Sequence, residues 1–555
     1  MHKILKKTIK YTACGIGVLL LAIILFVSIL YFSADMLTPD YTPKANGELV
    51  QTDSLREYAG NYLRQSNSGL WELKVSGDAF QRGEAIGKLS SDLLYYQEKV
   101  FVDQIREIVP SDNYLKFLRF FIVLFNRNLG ENVPEEFRDE IYGISLSCTH
   151  EYDFIGTPYE RQLNYHSAHD LGHAMQDYML VGCSSFATWG ENSADSSLII
   201  GRNFDFYMGD KFAHNKLVSF YQPEQGYKFA SVGWPGMIGV LSGMNETGLT
   251  VTINAAKSDM PTASATPISI LTREILQYAS TIDEAYAIAL KRKTFVSESI
   301  LIGSAQDDRA AIIEKSPEKT ALFTSSDNQI ICTNHYQSDT FRNDERNQEN
   351  IATSDSPYRF ARLQELLKEN KPIDPMKAAS ILRNQKGLDN IDLGMGNEMA
   401  INQLIAHHSV IFLPEKQIMY VSTSPWQCGK YMAYDLNKIF SDTIDFHHEI
   451  ATLNLTIPED NFIRQANYKQ FMAYKRLTKL IREKTQRKET IETKVLNLYE
   501  ASNPSFYYVY EVLGDYYAAI QQTGTAIIYW QKALTMPIPK QAEKVRIQQK
   551  INKKQ

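Results

Sequence analysis

Two short segments of this 555-residue chain bring reactive side chains together: Val181-Gly182-Cys183-Ser184-Ser185-Phe186, and then Gly201-Arg202-Asn203-Phe204-Asp205-Phe206. A glycine before a cysteine at a strand start reads, alone, as a buried structural thiol, because free cysteine is among the most buried residue types. The Arg-Asn-x-Asp downstream changes that reading. It predicts a loop after a second strand that sets a cation and a carboxylate beside Cys183. A cation favours thiolate, the nucleophilic form, and a carboxylate orients a proton carrier. None of the eleven histidines is paired with Cys183 by spacing, and a Cys–His pair stays open. A simpler base exists if the chain is cut between Gly182 and Cys183. The freed α-amine, with an ordinary pKa of about 7.7–8.0, takes the thiol proton and passes it to the leaving group.

Further segments follow in order. Gly77 to Gly87 reads G-x-x-x-x-x-G-x-x-x-G. Asn245-Glu246-Thr247-Gly248-Leu249 reads as a hairpin, with Asn254 nine positions after its first residue. Then come Thr333-Asn334-His335, Ser356-Pro357-Tyr358-Arg359-Phe360, and His408-Ser409-Val410 through Pro414. Each is weak alone: Asn334 fits a turn after a strand, and Arg359 a surface salt bridge. Together, over roughly Val75 to Leu436, they resemble the peptidase family of penicillin acyl-coenzyme A acyltransferase-like proteins. The resemblance extends more distantly to bile-salt and penicillin V amidases, all N-terminal-nucleophile hydrolases.

The resemblance implies roles. Cys183 is the nucleophile, cut free after Gly182, and its amine is the base. Asp205 holds that amine and Arg202 favours the thiolate. Asn334 donates its side-chain amide to the oxyanion, a contact worth about 10²–10³ in rate. Asn254 supplies a backbone N–H to the same hole, and Arg359 completes the charge network. The implied fold is α+β, a four-layer αββα sandwich, and no cofactor is implied. The substrate class is a small acylated molecule: an N-acyl amide, a lipoamide or an acyl thioester. Whether water or an amine takes the acyl group is left open. This chain departs from the bile-salt enzymes in carrying about 150 residues between its apolar N-terminal stretch and Cys183.

Other signals point elsewhere. His166, His169 and His173 share one face of a predicted helix. With Asp170 they suggest a metal, yet no HExxH is present and the same spacing simply presents polar residues near the cut, so no metal is expected. His407-His408 and His447-His448 read as pairs at strand or loop edges. The 32 tyrosines fit an acyl pocket or a large core. Five cysteines without CxxC spacing give no zinc or redox motif.

The elements that must position these residues follow from periodicity. Residues 73–177 read as mainly helical. Short strands are predicted at Cys183–Trp189, Ser197–Ile200, Leu217–Tyr221, Phe229–Val232, Leu249–Ile253, Ile300–Ile302, Ala311–Glu314, Ile330–Thr333, Ser409–Phe412 and Gln417–Val421. Helices are predicted at Ser269–Lys291 and Asp374–Arg383. Strands in runs and helices in blocks give an α+β layered sandwich.

The domains expected are a basic segment 1–12, a transmembrane anchor or signal 13–32, a stalk 33–72, a helical propeptide 73–182, a catalytic core 183–445 and a helical region 446–555. Ala13–Phe32 carries no charge and follows Lys3, Lys6, Lys7 and Lys10. Its twenty residues match a bilayer core of about 30 Å, with the lysines cytoplasmic and the catalytic domain beyond the membrane. Ser33-Ala34-Asp35 offers a signal-peptide site instead. Residues Tyr510–Pro537 resemble one tetratricopeptide unit through Leu513, Gly514, Tyr517, Ala526, Trp530 and Ala533. It is either a docked hairpin or a surface for a protein partner. A net charge of −6 gives no footprint for nucleic acid. Two function classes stand: an acyl-transferring cysteine enzyme, and an idle membrane-tethered scaffold whose tail recruits partners.

Overall fold

The computed structural model describes residues 2–32, 36, 38–41, 47–52, 54–108, 111–174, 180–257, 261, 263–441 and 443–554, leaving aside the side chains of 2–10, 12–14, 30–32, 108, 112–118, 168–169, 171–174 and 180–181. The strands, in chain order, are β1 (Val50–Gln51), β2 (Leu55–Tyr58), β3 (Asn61–Gln65), β4 (Trp71–Gly77), β5 (Leu180–Gly190), β6 (Ser196–Tyr207), β7 (Leu217–Pro223), β8 (Phe229–Gly233) and β9 (Ser242–Asn245). They continue with β10 (Leu249–Ala255), β11 (Glu298–Ser304), β12 (Arg309–Lys315), β13 (Thr320–Thr324), β14 (Gln329–Cys332), β15 (His408–Leu413), β16 (Ile418–Ser422) and β17 (Tyr431–Asp435). Among the described residues they form two sheets, ordered β1-β2-β3-β4-β7-β8-β9-β10-β11-β12-β13 and β14-β5-β6-β15-β16-β17.

Strands buried on both faces need apolar residues at odd and even positions alike. In β6, Leu198 and Ile200 face the other sheet, where they meet Val218, Phe220 and Ile312. Ile199 faces the opposite way, into a core with Leu363, Leu367 and Leu382. Those leucines belong to helices Ser356–Asn370 and Pro375–Leu382. Helices Ile268–Tyr278 and Ile282–Lys291 cover the outer face of the eleven-stranded sheet. The layers are therefore helix, sheet, sheet, helix.

The single helix expected at 269–291 is two. Thr281 caps the second by accepting from the Glu284 N–H at 3.3 Å, and the Glu284 carboxylate accepts from the Ser280 N–H at 2.8 Å. This reciprocal capping stops one helix and starts the next. Residues 50–77, expected as stalk and the start of a helical block, form four strands that extend the larger sheet. The loop expected to carry Arg202 and Asp205 is strand: β6 runs on to Tyr207.

The transmembrane expectation is corrected. The N-terminal helix spans His2–Phe32, but among the described residues no helix is long and apolar enough to cross a membrane. The membrane contact and the extracytoplasmic placement of the catalytic domain rested on this anchor and fall with it. Ser33, Ala34 and Asp35 lie outside the described residues.

Helices Ala466–Arg487, Thr493–Ser502, Tyr507–Ala519, Thr523–Leu534 and Gln541–Asn552 form the C-terminal region. Their core takes in Leu404 and Cys428 of the sheet region, so the region is packed onto the sandwich. In the tetratricopeptide-like hairpin a Cβ on Gly514 would lie 2.4 Å from Trp530, whose Nε1 donates to Asp515 at 3.0 Å. The helices approach that closely only over glycine.

Candidate active site

Register decides what surrounds Cys183. β5 and β6 are antiparallel, with Cys183 opposite Phe204, Gly182 opposite Asp205 and Ser185 opposite Arg202. Side chains alternate along a strand. Cys183, Ser185, Arg202 and Phe204 therefore point between the sheets, while Ser184 and Asp205 point to the helix Ser356–Asn370.

On the inner face, Arg202 is fully buried. Its Nη1 donates to Ser242 Oγ at 2.6 Å and Leu241 O at 3.2 Å, and its Nη2 donates to Ile253 O and to Cys183 Sγ at 3.7 Å. His408 Nε2 lies 2.9 Å from Ser242 Oγ and 3.4 Å from Arg202 Nη1. Burial holds His408 well below the usual imidazole range, with His407 and Arg202 adding to the effect, so it is neutral. Burial pushes the Cys183 thiol up and outweighs Arg202, which pulls it down; Asp205 and Glu298 push it further up. In the uncut chain Cys183 is a thiol.

On the outer side, Asn334 follows β14. The Cys183 N–H donates to its Oδ1 at 3.0 Å, and Arg359 Nη2 donates to the same oxygen at 2.7 Å. Asn334 Nδ2 donates to Ala255 O at 2.8 Å. Two donors on the oxygen and one acceptor on the nitrogen fix the amide's orientation. Its backbone is held as well: the Asn334 N–H donates to Ser356 Oγ at 2.7 Å. Arg359, one turn into the helix, is buried. Its Nη1 donates to Cys183 O at 2.6 Å and Ser184 Oγ at 3.0 Å, and its Nε to Asp355 at 2.7 Å. Asp205 is fully buried and neither carboxylate oxygen has a hydrogen-bond partner among the described residues. Burial raises its pKa to about 8 against the pull of Arg359 and Arg202.

The structure thus gathers Gly182, Cys183, Arg202, Asp205, Asn334 and Arg359. Asn254 meets the strand neighbours of this set. Its side chain ties the two sheets, accepting from Ser185 Oγ at 3.0 Å and donating to Cys332 O at 2.9 Å. Its backbone lies in the β10–β11 ladder opposite Ser299. The contact to the thiol belongs to Arg202, while Arg359 touches the backbone of Cys183.

Ser242, His408 and Glu298 escaped sequence reasoning. They join the site through the sheet registers, which no spacing in the chain encodes; an alternating apolar strand with a buried histidine was the only signal. His166 is a core residue, with Nδ1 2.8 Å from Gln162 O and Nε2 accepting from the Ile238 N–H at 3.1 Å. The side chains of His169 and His173 lie outside the described residues. Cys148, Cys183, Cys332 and Cys428 are free thiols.

Residues 190–419 match the model of a family described as acyl-coenzyme A:6-aminopenicillanic acid acyl-transferase. An uncharacterized protein of Archaeoglobus fulgidus is 24% identical over 277 residues, covering 47% of this chain and 46% of that protein. Protein dcd1B of Dictyostelium discoideum is 23% identical over 271 residues, covering 45% and 51%. The chain spans about half the length of the curated relatives it matches. Among solved structures, a Caenorhabditis elegans ortholog of N-acylethanolamine-hydrolyzing acid amidase is 15% identical, with a TM-score of 0.31, 42% of this chain covered and 93% of that one. A variant of conjugated bile acid hydrolase from Clostridium perfringens is also 15% identical, with a TM-score of 0.31 and coverages of 46% and 93%.

Proposed function

We propose that this chain, whose residues 190–419 match the model of the acyl-coenzyme A:6-aminopenicillanic acid acyl-transferase family, cuts itself before Cys183 and then transfers acyl groups from amides or thioesters through that cysteine. The observation that carries this reading is the treatment of Cys183 on both faces of one strand. Its sulfur meets the Arg202 guanidinium at 3.7 Å, and its nitrogen meets Asn334 Oδ1 at 3.0 Å. A structural thiol has no use for either contact.

The cut proceeds by attack of Cys183 Sγ on the Gly182 carbonyl carbon. The C–N bond breaks, and the thiol proton passes to the departing nitrogen, which becomes the α-amine of Cys183. Water then takes the acyl group from sulfur and leaves a carboxylate on Gly182. Asp205 stands opposite Gly182 in register, so its stranded carboxyl gains a cation when that amine forms. An opposite charge at this range pulls a carboxyl pKa down, so Asp205 gives its proton up to solvent once the amine carries the thiol proton as an ammonium. Asn334 Oδ1 keeps hold of the same nitrogen.

In turnover the amine takes the thiol proton, and the thiolate attacks the substrate carbonyl. The ammonium returns the proton to the departing amine or thiol. The acyl-enzyme then goes to water or to an acceptor amine.

The test is the new terminus. Mass spectrometry and Edman sequencing of purified protein give Cys-Ser-Ser-Phe at the start of a second chain, and Cys183→Ala abolishes both the cut and turnover. An active protein that stays one chain sinks the self-cutting step. A Cys183→Ala protein that still turns over amides sinks the whole proposal.

A further inference from the structure

Between the C-terminal helices and the sandwich lies a cleft of about 990 Å³. Gln403 and Leu404 line it on the sandwich side, and helix Ala466–Arg487 forms the facing wall with Phe471, Tyr474, Lys479 and Arg482. Gln403 joins this cleft to the cut site. A Cβ on Gly182 would lie 2.7 Å from Gln403 Nε2, so that amide rests against the peptide before Cys183. Gln403 is 2% exposed, and its Nε2 has no hydrogen-bond partner among the described residues. A buried, unpaired donor is unfavourable and calls for an acceptor. The carbonyl that Cys183 meets in the uncut chain is that of Gly182. A group packed on Gly182 is therefore packed on whatever carbonyl later takes its place.

The wall has a direction. A Cβ on Gly396 would lie 3.2 Å from Phe471 and 3.9 Å from Gln403 O, which puts the Phe471 end of the helix beside Gln403. Tyr474, Lys479 and Arg482 follow outward, and Arg482 lies about 16 Å further along at about 1.5 Å per residue. The cleft's other cations are ion-paired, and its lining also carries Glu398 and Glu543. Lys475 pairs with Asp210, and Arg546 and Lys550 pair with Glu511 at 2.9 and 2.7 Å. Lys479 and Arg482 have no ion-pair partner among the described residues, while Glu107 and Glu483 nearby disfavour a polyanion.

We infer that the C-terminal helices form half of the substrate site: the cleft holds the acyl part of the substrate, a long apolar chain ending in one carboxylate, with Gln403 donating to an acceptor near the reacting carbonyl and Lys479 and Arg482 binding the far anion. The identity of the reacting bond rests on the proposed function; the cleft's ligand chemistry does not.

The test uses the full-length protein and two probes, dodecanedioate and dodecanoate, which differ only in the far carboxylate. Calorimetry on the unaltered protein detects both, the diacid more tightly by about tenfold, or about 1.4 kcal/mol. In Lys479→Glu/Arg482→Glu the diacid loses that advantage while dodecanoate binds as before. Lys479→Gln/Arg482→Gln gives the same ordering with a smaller loss. Gln403→Leu weakens both probes. No binding to the unaltered protein, or equal loss of both probes in the charge variants, overturns the inference. A protein that binds with this selectivity but never cuts itself or turns over an amide sinks the proposed function alone. A self-cutting protein blind to the far carboxylate sinks this inference alone.

Discussion

Arg202 is buried without a carboxylate in ion-pair contact among the described residues, and its charge is held by carbonyls, Ser242 and the Cys183 sulfur. A cation so placed acts mainly on the thiol. In the cut enzyme Arg202→Gln moves the rising limb of the kcat/KM–pH profile to higher pH, because removing a neighbouring cation raises the thiol pKa; an unmoved limb removes Arg202 from thiol activation. Asp205 predicts a different pH effect, readable in the uncut Cys183→Ala protein. An unfolded aspartate releases its proton near pH 3.9, whereas the folded one keeps it to about 8. The folded state binds more protons across that window, so stability falls as pH rises through it, by an amount on the order of several kcal/mol. Asp205→Asn flattens that slope in urea unfolding between about pH 5 and 8, and an unchanged slope shows that Asp205 ionises freely in the fold. Asn334→Ala removes the acceptor of the Cys183 nitrogen and lowers kcat with little change in KM. A cut, folded Asn334→Ala variant with normal turnover excludes Asn334. These residues were legible because reactive types recur at family spacing. Their division of labour was not, because it depends on which face of β5 and β6 each side chain takes.

At the scale of elements, the glycines of the Gly77–Gly87 segment serve packing rather than chemistry. Gly77 adopts φ +103° where β4 turns into the next helix. A Cβ on Gly83 would lie 1.9 Å from Glu140 O, and one on Gly143 2.5 Å from Glu84 N. Helices Ala79–Ile108 and Glu135–Ser145 therefore cross backbone against backbone. Gly83→Ala forces them apart and destabilises the protein by about 1–3 kcal/mol or more, measured by thermal or urea unfolding; a neutral effect means the crossing yields without strain. The core strands could be read from sequence, since runs such as Ile300–Ile302 are apolar on both faces. Strands β1–β4 could not. They carry Arg56, Glu57, Arg64, Glu72 and Lys74, a pattern that reads as polar and irregular until the salt bridge of Arg64 with Glu72 and Glu449 is seen. The continuation of β6 through Arg202 and Asp205 was hidden for the same reason, since charged residues mid-strand signal a loop unless the site that uses them is known.

Across the whole molecule, the peptide before Cys183 joins two segments that share one sheet and one core. β4 lies before the cut and β7 after it, and they pair in parallel from Trp71 with Leu217 to Gly77 with Pro223. Ile141, Ile144 and Leu163 pack in the same cluster as Ile253, Ile275 and Ile302. Glu140, fully buried, accepts from Arg82 on its own side of the cut at 2.8 Å and from Arg273 on the other side at 3.2 Å. Arg273 also lies over the rings of Tyr221 and Phe229, at 4.3 and 4.5 Å. Self-cutting therefore leaves two chains that stay together without a covalent link, co-eluting in gel filtration and separating only in denaturant. Arg273→Gln strips Glu140 of its partner across the cut. Glu140 keeps Arg82, so the cost is below the about 3–5 kcal/mol of a buried charge left alone. In the cut protein that loss appears as release of the N-terminal chain at a lower urea concentration. In the uncut Cys183→Ala protein the same substitution lowers the unfolding midpoint, but no chain can leave. Spontaneous separation of the unaltered cut protein in buffer would show that the shared sheet does not hold the halves.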